Sequence, residues 1–182
     1  MVSIKALAFY LATMAVAVSA APAAGVKAVT TADTIIADIN SIDAQVLALT
    51  GTVDGVKEKT LDSTTVNVDF TSLHVANQQG VTDAALETPN TSEDSIRVVA
   101  TIETTLSIDI PDVIDALKAK KEFFTSDQRT VVLAWLVVLQ SDYNTFGGLL
   151  IKRTSEDAIP RAEAAAKLIG DAISAGIAYY SS

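Results

Sequence analysis

Residues 33–50 read DTIIADINSIDAQVLALT, and their aliphatic side chains recur at intervals of four and three residues. Positions three or four apart lie on the same side of an α-helix, so this spacing predicts an amphipathic helix with one buried side. Residues 30–33, TTAD, give a capping signal at its start, Gly51 and Gly55 mark its weakening or its end, and Ile36 and Leu47 widen the apolar side. The residues that form the stripe are Ile35, Ile39, Ile42, Val46 and Leu49.

The segment 56–88 allows two interpretations. Val66, Val68 and Phe70 alternate with other residues, as the side chains of a short β-strand do. Phe70 also begins a series at approximately helical spacing. We favour a helix that ends before Pro89. The later members of the series are Leu73, Asn77, Val81 and Leu86.

The second half of the chain carries further helix signals. Aliphatic residues in 92–106 have helical spacing, and Pro111 suits the first turn of the helix that follows. Residues 125–128, TSDQ, form a capping box before the run VVLAWLVVL at 131–139, in which nine consecutive residues are apolar. A helix that is apolar all round lies at the centre of a bundle or faces something other than protein. Residues 154–157, TSED, give another start signal, and residues 161–180 are predicted to form an Ala-rich helix.

These signals follow one another with short connections, which is typical of helical bundles. We therefore predict an all-α fold, an antiparallel bundle of five to six helices. The length of 182 residues suits one domain. We assign that domain to residues 22–182.

The first 21 residues have the form of a secretory signal peptide, with one Lys, the apolar run ALAFYLATMAVAV at 6–18 and small residues after it. Cleavage is expected after Ala20 or Ala21. The apolar run has 13 residues, fewer than the roughly 20 that a transmembrane helix needs. A secreted protein is therefore expected, and Asn90-Thr91-Ser92 is a sequon for glycosylation.

Composition excludes several functions. The net charge of −9 argues against nucleic acid as a partner, because that affinity depends on Lys and Arg. There is no Cys and one His, His74, so cysteine and multi-histidine metal sites are excluded and no metal or cofactor is expected. No nucleophile elbow, phosphate loop or zinc motif is present. We interpret His74 as solvent-facing or at the edge of the core, and we predict that the protein is not an enzyme.

The remaining functional signal is the capacity for apolar contact. Several large apolar side chains are candidates for lining a hydrophobic cavity or a separable helix face, and ordinary core filling is the alternative for each of them. Leu139, Tyr143, Phe146 and Leu150 have the spacing of one helix side. The candidate residues for lipid or hydrophobic-surface binding are Phe70, Leu73, Phe123, Phe124, Trp135, Leu139, Tyr143, Phe146 and Leu150.

The order of these segments resembles the fungal hydrophobic surface-binding protein A family, which includes cell-wall galactomannoproteins. The resemblance is carried by DTIIADINSIDAQVLALT, by IPDVIDALKAKKEFF at 110–124, by the long apolar helix and by AISAGIAYY at 172–180. It extends over about residues 28–180, nearly all of the proposed domain.

The resemblance implies a secreted, non-catalytic helical domain that binds hydrophobic solid surfaces or fatty acyl lipids. It also implies a secreted esterase as a candidate partner. Wall-bound members add a Ser/Thr-rich tail and a lipid-anchor signal, and neither precedes the final residues AYYSS, so free secretion is expected ahead of attachment to the cell wall. The alternative function is a structural or antigenic cell-wall mannoprotein without a lipid site.

Overall fold

The protein is described by a computed structural model that covers residues 31–56, 63–86 and 89–182. All regular structure in these ranges is helical, which confirms the predicted all-α class. The proposed signal peptide, residues 1–21, lies outside the described residues. The helices are α1 (Ala32–Asp54), α2 (Ser63–Ala84), α3 (Ser92–Thr104), α4 (Leu106–Lys120), a 3₁₀ turn (Lys121–Phe123), α5 (Ser126–Arg153) and α6 (Ile159–Ser181).

Threonine side chains begin three of the helices, as the sequence predicts. Thr31 Oγ1 accepts a hydrogen bond from the backbone N of Thr34 at 3.3 Å, and Thr91 caps α3 in the same way. At α5 the capping box is complete: Thr125 Oγ1 accepts from Gln128 N at 3.3 Å, and Gln128 Oε1 accepts from Thr125 N at 2.8 Å. These bonds satisfy backbone N–H groups that the first turn leaves without partners.

The segment with two interpretations is a helix, α2. Val66 and Phe70, four residues apart, are buried, whereas Val68 between them is exposed. A strand would place all three side chains on one face, so the burial pattern agrees only with the helical period. Leu47 corrects another expectation, because it is 51% exposed and lies outside the buried stripe of α1.

The prediction that Pro111 opens a helix is wrong. Helix α4 begins five residues earlier, at Leu106, and Pro111 lies inside it. The break that separates α3 from α4 is at Thr105, whose φ of −127° and ψ of −95° are not helical. Thr105 Oγ1 donates to Thr101 O at 2.7 Å and holds this break in place. Because proline has no N–H, the carbonyl of Ser107 loses its usual helical partner.

Five long helices form a closed ring in the order α1, α2, α5, α6, α4, and back to α1. Helix α3 packs against α1, α4 and α6. Helices α1 and α2 run antiparallel, because Asp38 of α1 lies beside Asp83 of α2 and Ile42 lies beside Gly80. Helices α5 and α6 also run antiparallel, because Gln140 donates to Ser174 at 2.7 Å and a Cβ on Gly147 would lie 3.9 Å from the Cβ of Ala166.

Ring closure also creates parallel neighbours. Along α2 and α5, Asn67 bonds Trp135 and His74 bonds Asp142, so residue numbers rise together on the two helices. The same holds for α4 and α6, where Tyr180 Oη donates to Leu117 O at 2.6 Å. The interior of the ring is one continuous apolar core to which all five helices contribute.

Candidate functional site

Seven of the nine predicted site residues lie on α2 and α5, which are neighbours in the ring. All seven are buried in the main core, and so is Phe124 just before α5. Phe123 is only partly buried, and Lys120 Nζ lies 5.7 Å from the centroid of its ring. The structure brings these seven residues together as one buried surface, called the α2–α5 wall, and their role in ligand binding stays a prediction. The wall consists of Phe70, Leu73, Trp135, Leu139, Tyr143, Phe146 and Leu150.

The first contact across the α2–α5 wall is an aromatic stack. The rings of Phe70 and Trp135 are 5.7 Å apart at their centroids, with an interplanar angle of 2°. Trp135 Nε1 donates to Asn67 Oδ1 at 3.0 Å, which satisfies the indole N–H. Sequence reasoning missed Asn67, and a polar residue one turn before Phe70 on the same helix was the signal available.

A glycine allows the closest approach further along the wall. A Cβ on Gly80 would lie 3.0 Å from Cε2 and 3.1 Å from Cζ of Phe146. The Phe146 ring therefore occupies the space that a larger residue on α2 would need. Ile42 of α1 meets the same spot, so three helices converge around this ring.

Polar groups line the outer edge of the wall. His74 Nδ1 and Asp142 Oδ2 are 2.7 Å apart, and Gln78 Nε2 donates to Asp142 Oδ1 at 2.8 Å. Burial raises the pKa of Asp142, while its bonds with His74 and Gln78 act in the opposite direction. His74 is half-buried at the edge of the core, one of the two positions expected for it. Sequence reasoning missed Asp142 and Gln78.

Two further polar residues face the interior. Asn77 is fully buried and donates from Nδ2 to Leu73 O at 2.9 Å, yet its Oδ1 has no hydrogen-bond partner among the described residues. The Tyr143 hydroxyl is also buried and has no hydrogen-bond partner among the described residues. Burial raises the pKa of Tyr143, Asn77 acts to lower it, and Asp142 and Asp43 raise it further. The Asn77 amide thus lies near the hydroxyl without reaching hydrogen-bond geometry.

Two lysines at the end of α4 contact the C-terminal ends of two other helices. Lys120 Nζ donates to Asp54 O at 3.2 Å and to Val56 O at 3.3 Å, at the end of α1. Lys121 Nζ donates to Tyr179 O at 2.6 Å and lies 4.7 Å from the centroid of that ring. Both cations therefore meet the carbonyl groups at the C-terminal ends of helices, where positive charge is favourable.

The predicted glycosylation residue, Asn90, is half-buried in the connection between α2 and α3. Its backbone N donates to Arg153 O at 3.0 Å. Among the described residues no three His, Cys, Asp or Glu side chains come together as a metal site. None of the helices in those ranges is both long and apolar enough to cross a membrane.

Solved structures share this fold, among them the following three. AFMP4P in complex with palmitic acid is 24% identical with a TM-score of 0.76, and the match covers 82% of this chain and 99% of that one. Ligand binding domain 1 of the Penicillium marneffei MP1 protein, complexed with arachidonic acids, is 15% identical with a TM-score of 0.74, covering 79% and 94%. Domain 2 of that protein, also with arachidonic acids, is 19% identical with a TM-score of 0.72, covering 79% and 90%.

The sequence itself places the chain in a family. No curated protein matches it significantly in sequence. The model of the hydrophobic surface binding protein A family matches residues 32–152, about two thirds of the chain and most of the ring of helices. On this match, the chain belongs to the hydrophobic surface binding protein A family.

Proposed function

We propose that this protein is a non-catalytic lipid-binding protein that holds a fatty acyl chain between the helices of its ring. The observation that carries the proposal is the closed ring of five helices around one continuous apolar interior. The similar structures were obtained with palmitic acid or arachidonic acids bound, which supports an acyl chain as the ligand.

The energetics permit such a ligand. Burial of roughly 300 Å² of acyl chain contributes about 7 kcal/mol at 25 cal/mol per Å², before the costs of association. A dissociation constant of about 1 μM corresponds to about 8 kcal/mol, so burial supplies much of this free energy, and further contacts of the chain and of its polar end have to supply the rest together with the association costs. The core residues of the α2–α5 wall occupy the interior in this structure, so the helices have to separate when a chain enters.

Trp135 offers a direct test, because it is the only Trp in the chain and lies in the α2–α5 wall. We expect native mass spectrometry to detect palmitic acid bound at one or two copies. We also expect palmitic acid to change Trp135 fluorescence saturably, with a dissociation constant near or below about 1 μM. A chain that takes up no acyl probe, with unchanged fluorescence, contradicts the proposal.

A second candidate function, adsorption to hydrophobic solids, is favoured by aliphatic side chains on the outside. Val68 and Val75 lie seven residues apart on α2 and are 55% and 60% exposed. Positions seven apart share a helix face, so they present one apolar strip. The double variant Val68→Thr/Val75→Thr keeps the side-chain shape but adds hydroxyl groups.

We expect this variant to adsorb less to polystyrene while it binds palmitic acid as the wild type does. Reduced palmitic acid binding by the variant would instead place the ligand on the outer surface. If the wild type neither binds acyl chains nor adsorbs, a structural cell-wall mannoprotein is the remaining function.

We also propose that the protein is secreted, with residues 1–21 as a signal peptide and a glycan on Asn90. The family supports this location, and Asn90 lies between two exposed residues, Pro89 and Thr91, just before α3. Intact mass before and after enzymatic removal of N-glycans, on protein from a eukaryotic culture medium, tests both features. Association with the cell wall and a secreted esterase partner are testable by fractionation and by co-purification from the same medium.

A further inference from the structure

The interior of the ring contains a polar spot whose hydrogen-bonding capacity the described residues do not fill. Leu73, Gly80 and Ala84 form the buried side of α2, and Asn77 occupies a position in the same row. Helix α5 presents Tyr143 between Leu139 and Phe146, all of them buried. Two polar residues thus replace apolar ones in facing rows of the core.

The register of the parallel helices brings these two residues opposite each other. Phe70 stacks on Trp135 before them, and Gly80 meets Phe146 after them. Residues of α2 therefore face residues of α5 whose numbers are higher by about 65 or 66, which pairs Asn77 with Tyr143.

Both groups leave hydrogen-bonding capacity unused. Tyr143 Oη and Asn77 Oδ1 are buried and have no partner among the described residues. A buried polar atom without a partner is energetically unfavourable, and such atoms are rare in native proteins. The hydroxyl can donate to a ligand atom, whereas the amide oxygen can only accept.

The acidic residues around this spot disfavour a negatively charged group of a ligand. Asp142 of α5 and Asp43 of α1 lie near enough to Tyr143 to act on its hydroxyl. Asp43 is paired with Asp109 of α4, and Asp142 with His74 of α2. A carboxylate at this spot would be buried beside acidic groups, and it would offer no proton to Asn77.

We propose that Tyr143 and Asn77 receive the polar end of the acyl ligand, and that this end is a neutral group that both accepts and donates a hydrogen bond. The chemical class is a long-chain alcohol or an undissociated fatty acid. The proposal rests on the proposed function, because it assumes that an acyl chain enters the ring.

Tyr143→Phe tests the donor, with dodecan-1-ol as the probe and full-length protein throughout. The variant removes only a hydroxyl without a partner, so without ligand we expect it to unfold at the same temperature as wild type or higher. We expect its affinity for dodecan-1-ol to fall about tenfold, the effect of one lost hydrogen bond.

Tyr180→Phe is the matched control. Its hydroxyl is also buried but donates to Leu117 O at 2.6 Å, at the contact of α6 with α4. We expect this variant to be less stable and to bind dodecan-1-ol as the wild type does. If Tyr143→Phe behaves in this way instead, Tyr143 is a structural residue and the inference is wrong.

Methyl dodecanoate separates the two partners, because its carbonyl accepts hydrogen bonds but has no proton to donate. Tyr143→Phe should weaken the binding of both probes. Asn77→Leu should weaken the binding of dodecan-1-ol alone. If Asn77→Leu does not fold, the Tyr143→Phe comparison decides the question.

Dodecanoic acid identifies the protonation state of an acid ligand. We expect it to bind at least about tenfold more tightly at pH 5 than at pH 7.5, relative to dodecan-1-ol, because burying its carboxylate beside Asp43 and Asp142 is unfavourable. Equal affinity at both pH values would contradict a neutral head group. Failure of every probe to bind wild-type protein would overturn the proposed function as well, whereas binding that is insensitive to Tyr143→Phe overturns this inference alone.

Discussion

Arg153 joins three parts of the chain at one end of the ring. Its side chain is 6% exposed, and Nη1 donates to Asp83 O at 3.2 Å and Ala84 O at 3.5 Å, the last carbonyls of α2. Its own carbonyl accepts from the backbone N of Asn90. Burial lowers the pKa of Arg153, and the carbonyl end of α2 offsets part of that cost for the cation.

Replacing this cation should be costly. We expect Arg153→Met to lower the free energy of unfolding by about 2–3 kcal/mol, because hydrogen bonds to a charged group are lost and the α2 carbonyls stay buried. The exposed neighbour Lys152→Met is the control and should change stability by less than about 0.5 kcal/mol. Urea denaturation of the three proteins gives the comparison, and equal losses for both variants would show that the Arg153 contacts are not stabilising.

At the scale of the helices, local signals in the sequence correspond closely to the structure. The Thr31 and Thr125 caps and the α1 stripe depend on neighbours within one or two turns, which the sequence displays directly. The start of α4 was missed because the helix is interrupted by the backbone conformation of Thr105. A threonine at this position does not by itself indicate such an interruption. Leu47 was wrongly predicted to widen the buried side of α1, because the apolar stripe of one helix does not reveal how much of its surface the neighbouring helices cover.

At the contact of α6 with α4, close approach depends on Gly176, whereas the neighbouring glycines Gly147 and Gly148 of α5 allow no comparable approach. A Cβ on Gly176 of α6 would lie 3.1 Å from Ile114 Cγ2 and 3.4 Å from Leu136 Cδ1. Helix α5 continues without interruption through Gly147 and Gly148. A Cβ on Gly148 would meet nothing within 4 Å.

Substitution by alanine should therefore change the free energy of unfolding in opposite directions at Gly148 and at Gly176. Gly148→Ala should raise the free energy of unfolding by about 1 kcal/mol through helix propensity. Gly176→Ala gains the same propensity but overpacks buried Ile114 and Leu136 at about 1–3 kcal/mol, so we expect a net loss near 1 kcal/mol. Thermal and urea unfolding measure both. A stabilised Gly176→Ala would mean that α6 moves away from α4 at little cost.

At the scale of the whole molecule, long-range pairing could not be predicted. The parallel contact of α2 with α5 depends on ring closure between segments about 65 residues apart, for which the sequence has no local signal. The large residues of the α2–α5 wall were predictable because size and apolarity direct burial. Asn77 and Asp142 were not, because their burial depends on partners that only the folded ring supplies.

Acidic side chains face each other across two contacts of the ring. Asp38 of α1 lies beside Asp83 of α2, and burial, with the neighbouring carboxylate second, raises the pKa of Asp38 to about 6. Asp43 lies beside Asp109 of α4, and burial, together with a hydrogen bond to Asp109, raises its pKa to about 6. The ring thus closes on both sides of α1 through carboxyl groups that favour a proton.

These raised pKa values determine how stability changes with pH. Between the ordinary value of 3.8 and about 6, the folded protein holds protons that the unfolded chain has released. Their contribution is therefore complete below pH 3.8 and lost as the pH rises through about 6. We expect a higher melting temperature at pH 5 than at pH 7.5.

The double variant Asp38→Asn/Asp43→Asn imitates the protonated pairs, so it should be more stable than wild type at pH 7.5 and should respond less to acid. Exposed Asp112→Asn is the control, because it removes negative charge from the same acidic protein without touching either pair. If Asp112→Asn flattens the pH response as much as the double variant does, general charge repulsion explains the effect. Melting curves at half-unit steps from pH 4 to pH 8 would separate these outcomes. A double variant that is more stable only near neutral pH would assign the acid response of the ring to the two contacts of α1.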